Sequence, residues 1–92
     1  LGQLSDEGAV LEATQAFREA ILAYERLNLS GHRANSLNNL GNALSTIGEF
    51  SGNADYLSEA VASYRSALAW RTRERSLRDW AMTQNNLGNA LR

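Results

Sequence analysis

The chain is 92 residues long, carries nine basic and ten acidic residues for a net charge of −1, and contains neither cysteine nor proline. That length builds one small domain or a piece of a larger array. The lack of cysteine excludes a disulfide framework and any thiolate metal site, and the near-neutral charge leaves no global field to draw in nucleic acid or an anionic membrane. No apolar run approaches the ~20 residues that span a bilayer. No signal peptide is visible, and the expected location is cytoplasmic.

Leu1-Gly2-Gln3-Leu4-Ser5 is similar to Ile47-Gly48-Glu49-Phe50-Ser51, a stretch expected to turn after a helix. The chain is therefore expected to be a fragment that begins just after a missing helix. Ser5 or Asp6 is expected to cap a first helix over about 6–28 by accepting a backbone N–H. Val10, Ala13, Phe17, Ala20, Ile21, Tyr24 and Leu27 fall three and four apart and form its apolar stripe. Asn28-Leu29-Ser30-Gly31 ends it, since asparagine and glycine accept the left-handed conformation that follows a helix.

A second helix is predicted over about 32–47, with Ala34, Leu37, Leu40, Gly41, Leu44 and Ile47 as its stripe. Glycine inside a helix costs ~1 kcal/mol against alanine, so Gly41 implies that a neighbouring helix comes close there. Gly48 to Gly52 should turn the chain. A third helix is predicted from Asn53 or Asp55 to about Arg75, buried through Leu57, Ala60, Val61, Tyr64, Ala67 and Leu68. Arg71, Arg73, Arg75 and Arg78 would then lie at its basic end, where the helix dipole is negative. Asp79 should cap a fourth helix over about 80–92.

These elements are copies of one another. Asn38-Asn39-Leu40-Gly41-Asn42-Ala43-Leu44 returns unchanged 47 residues later as Asn85-Asn86-Leu87-Gly88-Asn89-Ala90-Leu91. Upstream, Glu12, Ala13, Arg18, Ala20, Arg26 and Ala34 return as Glu59, Ala60, Arg65, Ala67, Arg73 and Ala81, and Phe17 is answered by Tyr64. A fixed internal period marks a repeat protein.

The pattern resembles the tetratricopeptide repeat family. Leu40-Gly41 and Leu87-Gly88 match that family's helix A. Ala13, Phe17 and Ala20, then Ala60, Tyr64 and Ala67, match its helix B. The resemblance implies an all-α fold: an antiparallel helical-hairpin solenoid of four helices in the order B-A-B-A, as a single array over 1–92. The period of 47 exceeds the family's ~34 and looks like the longer repeats of kinesin light chains and many bacterial signalling proteins. Where the family often places aromatics in helix A, this chain has Leu37, Gln84, Leu44 and Leu91.

The resemblance also implies a concave groove lined by helix A. On that face Asn35, Asn38, Asn42 and Ser45 lie at i, i+3, i+7 and i+10, with Met82, Asn85, Asn89 and Arg92 at the matching positions. An asparagine amide both donates and accepts, which suits a peptide main chain. The expected function is a non-enzymatic scaffold that holds a protein or peptide ligand in this groove. Asn39 and Asn86 lie beside the apolar stripe and are expected to tie helices together, a role open to the other asparagines as well. The alternatives are a structural spacer, a self-association segment, or the sensor arm of a larger signalling protein.

Arginines around Trp70 and Trp80 could stack on nucleic acid, but Glu74 and Asp79 interrupt them, and a solvated helix end is the expectation. His32 is a lone surface histidine. Glu12 and Glu59 are placed on solvent faces, and no catalytic set, metal site, cofactor loop or membrane segment is visible. The order B-A-B-A leaves Phe17, Ile21 and Tyr24 without a preceding helix A, and Leu87 and Leu91 without a following helix B. A stack buries its core only between neighbours, so a homo-oligomer through these ends is expected, head to tail or about a two-fold axis.

Overall fold

The computed structural model describes the backbone of residues 2–92 and the side chains from Glu7 onward. Four helices follow in order: α1 (Gly2–Arg26), α2 (Ser30–Ser51), α3 (Ala54–Leu68) and α4 (Leu77–Leu91). There is no strand among the described residues. The fold is an all-α helical repeat of the expected class. Each helix packs on the next in the chain, and α4 also touches α2.

Helix α1 already runs at Gly2, so Ser5 and Asp6 stand within its backbone rather than at its start; their expected capping side chains lie outside the described ones. Its end is as anticipated in kind but shifted. Asn28 takes φ 57°, the Asn28 N–H reaches the Glu25 carbonyl at 3.1 Å and the Leu29 N–H reaches the Tyr24 carbonyl at 2.9 Å. This double bond pattern satisfies carbonyls that the helix end would orphan. Gly31 is already inside α2. Its role is packing: a Cβ there would sit 3.3 Å from Trp70 Nε1.

The turn expected over Gly48 to Gly52 shrinks to two residues. Only Gly52 takes a left-handed φ, 69°, with its N–H on the Gly48 carbonyl at 2.9 Å. Gly48 stays helical, and a Cβ there would meet Leu57 Cγ at 2.9 Å. Asn53 caps α3, its Oδ1 accepting from the Asp55 N–H at 2.9 Å.

Helix α3 stops at Leu68, well short of the expected Arg75, and an ordered loop fills the difference. Arg71 N–H bonds the Ala67 carbonyl at 2.9 Å, and Ser76 N–H bonds that of Thr72 at 3.0 Å. Arg75 Nε–H bonds the Trp70 carbonyl at 2.9 Å while its guanidinium lies 3.4 Å from the centre of the Trp70 ring. Ser76, not Asp79, caps α4: its Oγ accepts from the Asp79 N–H at 3.2 Å. Arg71, Arg73 and Arg75 thus lie beyond α3, and Arg78 lies within α4.

The core comprises Ile21 of α1, Leu37, Leu40 and Leu44 of α2, and Ala60, Tyr64 and Ala67 of α3, with Phe17, Tyr56, Leu87 and Ala90 packed against it. Its centre is Tyr64 against α2. A Cβ at residue 41 would lie 2.5–2.8 Å from three carbons of the Tyr64 ring, so only glycine admits the ring there. Ala60 and Ala67, one helical turn to either side, are fully buried and let α3 approach. The ring buries enough apolar surface (~1.5–3 kcal/mol for a large side chain) to outweigh the ~1 kcal/mol that glycine costs the helix.

Candidate functional site

The eight residues of the sequence-derived groove do not share one environment. Asn38 is 4 % exposed. Its Oδ1 accepts from the Thr83 hydroxyl at 2.9 Å and from Asn86 Nδ2 at 3.4 Å. Thr83 is completely buried and accepts from Arg71 Nη1 at 3.1 Å, while Arg71 Nη2 donates to Asn35 Oδ1 at 2.9 Å. One chain of bonds therefore runs from α2 through the loop into α4 and back to α2. In this arrangement Asn38 faces protein, and a ligand does not reach it. Asn86 ties helices as expected, whereas Asn39 lines a shallow groove between α1 and α2 with Val10, Ala13, Phe17 and Ala43.

Arg71 anchors this network and was missed in the sequence, where it read as part of a solvated helix end. It is 7 % exposed, and its two recorded partners are neutral oxygens. Buried guanidinium groups are costly unless their donors are met; a planar fork can meet acceptors from two helices at once. The sequence did carry a signal: Ser76-Leu77-Arg78-Asp79 has the form of an N-terminal capping motif, which places the start of α4 near 77 and frees Arg71 from α3.

Besides Asn35, five groove residues are exposed to solvent. Asn42 and Asn89 are exposed, and they line a cleft of about 240 Å³ with Ser45, Asn86, Glu49 and Tyr64. Tyr64 forms the floor, its hydroxyl donating to Asn42 Oδ1 at 2.7 Å. The amide Nδ2 of Asn42 makes no recorded bond. Ser45 Oγ is shielded from solvent and lacks a well-formed hydrogen bond, although it lies near enough to Tyr64 to influence its ionisation. The Tyr64 phenol is held above its ordinary 10.0, first by burial, with the Ser45 hydroxyl opposing and Glu49 adding to the rise. Met82, Asn85 and Arg92 are exposed but lie outside this cleft.

A cavity of about 610 Å³ lies at the start of α2 and α4, among His32, Asn35, Trp70, Arg71, Arg75 and Asp79. Both indoles carry an arginine of the same segment: Arg75 over Trp70, and Arg73 at 5.2 Å from the Trp80 ring centre. The arginine–tryptophan set that suggested base stacking is thus engaged with itself. His32 is exposed and packs near Tyr24, ring centres 5.2 Å apart. Glu59 is not merely solvated; it pairs with Arg18 and links α3 to α1. Among the described residues no three metal-ligating side chains converge, and no helix is long and apolar enough to cross a membrane.

Two outcomes follow for stability. Arg71→Lys keeps the charge but loses the fork, so urea unfolding should show a loss of about 1–3 kcal/mol; unchanged stability would remove the network from the account. Tyr64 has a higher pKa folded than unfolded, so its contribution is intact below pH ~10 and declines as pH rises through that value and beyond. The stability advantage of the wild type over Tyr64→Phe should accordingly be constant from pH 7 to about 9 and narrow above about 10, followed by circular dichroism.

The segment that holds Gly41, Tyr64 and Arg71 matches a known family. Residues 33–77 match the family model described as tetratricopeptide repeat. No curated protein and no solved structure matches the chain. Repeats of this family generally mediate protein–protein interaction. Residues 33–77, comprising most of α2, all of α3 and the arginine loop, are a tetratricopeptide repeat.

Proposed function

We propose that the chain is a non-enzymatic scaffold that holds an extended peptide segment of a protein partner in the cleft between α2 and α4. The observation behind this reading is the pairing of Asn42 and Asn89 across that cleft, both exposed, above a floor formed by Tyr64. Their register is that of one repeat, 47 residues. Asn42 is pre-oriented, since the Tyr64 hydroxyl holds its Oδ1 and leaves Nδ2 free to donate to a peptide carbonyl. Asn89 has no recorded internal bond and offers both an acceptor and two donors.

Asn38 and Asn35 serve the buried network, while Asn42 and Asn89, with Ser45 at the wall, carry recognition. Met82, Asn85 and Arg92 extend the same helix face and would meet a longer ligand. A main-chain contact of this kind is tolerant of ligand sequence, and side-chain preference would come from the apolar wall at Leu57 and Ala90 and from the Glu49 charge.

A library of immobilised random peptides, probed with the chain and with Asn89→Ala, tests this. The Asn89 side chain is exposed and makes no bond within the fold, so the variant should keep its helical circular dichroism. Peptides that bind the wild type should bind Asn89→Ala about tenfold more weakly, as expected for one or two lost hydrogen bonds. Equal binding by both would move recognition away from the cleft.

A further inference from the structure

The cavity at the start of α2 and α4 is lined only by residues between Gly31 and Asp79, so α2, the arginine loop and α4 enclose it. Its neutral acceptors are already engaged. Asn35 Oδ1 accepts from Arg71 Nη2, and Ser76 Oγ accepts from the Asp79 N–H. Its donors are mostly free. Arg71 has five N–H groups, and its bonds go to two neutral oxygens, Thr83 Oγ1 and Asn35 Oδ1. The Asn35 Nδ2, the Trp70 Nε1–H and the terminal nitrogens of Arg75 make no bond among the described residues. Helix α2 also opens here without a side-chain cap or an acidic residue in its first turn.

Charge is unbalanced in the same place. Arg71 is 7 % exposed, a guanidinium removed from water with no negative partner. Asp79 shares the lining, but no ion pair joins it to Arg71 or Arg75 among the described residues. Two arginines against one aspartate, with His32 neutral, leave a surplus of one positive charge. A ligand that completes the lining is therefore a monoanion that accepts several hydrogen bonds. A carboxylate fits. A phosphate monoester, with about two negative charges at neutral pH, exceeds the surplus.

We infer that this cavity binds a carboxylate group, which accepts from the Arg71 guanidinium and the Asn35 amide with the Trp70 indole N–H beside them. Arginine–carboxylate bonds are charge-assisted and frequently two-pronged, so the ligand supplies the counter-charge that Arg71 lacks in the fold. The group comes from a free small acid or from an Asp or Glu side chain of a peptide. The second source would extend the peptide reading. Asn35 lies seven residues before Asn42 on α2, about 10 Å along the helix axis, or about three residues of extended chain. The site itself does not depend on that reading.

Nuclear magnetic resonance titration of the isotope-labelled chain with sodium acetate, against sodium chloride at equal ionic strength, tests the site. The Trp70 indole N–H and the Asn35 side-chain amide should shift and saturate with acetate, and bind chloride at least about fivefold more weakly, since chloride cannot take two parallel bonds. The Trp80 indole lies outside the lining and should not move. Asn35→Asp keeps an acceptor for Arg71 and adds a fixed counter-charge. It should resist urea at least as well as the wild type, while acetate binding read at the Trp70 indole falls about tenfold or more. Peptides selected on the wild type, each remade with Glu replaced by Gln, then identify the source. A loss of about tenfold places the carboxylate on the peptide; no peptide affected, with acetate still bound, makes the ligand a free acid. Peptides that need Glu yet bind Asn89→Ala as well as the wild type would retain this site and remove the cleft. Non-saturating shifts at Trp70, equal responses to acetate and chloride, or undiminished acetate binding by Asn35→Asp would overturn the inference.

Discussion

The approach of α3 to α2 depends on a residue without a side chain. The Tyr64 ring occupies the volume in which a methyl at position 41 would stand, and this lets Ala60 and Ala67 seat with no exposed surface. Interiors pack at crystal-like density, so no neighbour can shift far to make room for a larger residue at 41. The same ring sends its hydroxyl out of the core to Asn42, linking the most buried contact in the hairpin to the cleft above it. Packing and candidate recognition are thus joined through one side chain.

A second tie is polar and holds the next helix. Thr83 of α4 is fully buried between Arg71 and Asn38, so α4 is fixed by bonds that reach back across the loop to α2. Buried polar groups of this kind need every partner in place. That requirement explains why the loop from residue 69 to 76 is so heavily bonded, with Arg75 laid over Trp70 and Ser76 capping the helix that follows. The loop is a structural element rather than a frayed helix end.

Much of this was legible in the sequence. The exact return of seven residues at a spacing of 47 fixed the class of fold and the pairing of helices, and Gly41 announced a close approach before its partner was known. Boundaries were harder. Gly48 and Gly52 are equally able to turn a chain, and only three-dimensional packing against Leu57 keeps the first one helical. The roles of the asparagines were open for a related reason. Asn38 and Asn42 lie four residues apart on one helix face, yet one meets Thr83, 45 residues away, and the other Tyr64, 22 residues away. Nothing local distinguishes them. Arg71 was hidden because its counterpart one repeat earlier is Tyr24, so the internal repeat gave no hint of its role.

The central claim is that Tyr64 and Gly41 are one interaction, and a double-mutant cycle reads it directly. In the wild-type background Gly41→Ala should lower the free energy of unfolding by about 1–3 kcal/mol, the cost of overpacking, despite the better helix propensity of alanine. In a Tyr64→Leu background the smaller side chain leaves room, and the same substitution should be neutral or stabilising, which gives a coupling on the order of 1–3 kcal/mol. An equal effect of Gly41→Ala in both backgrounds would contradict the account.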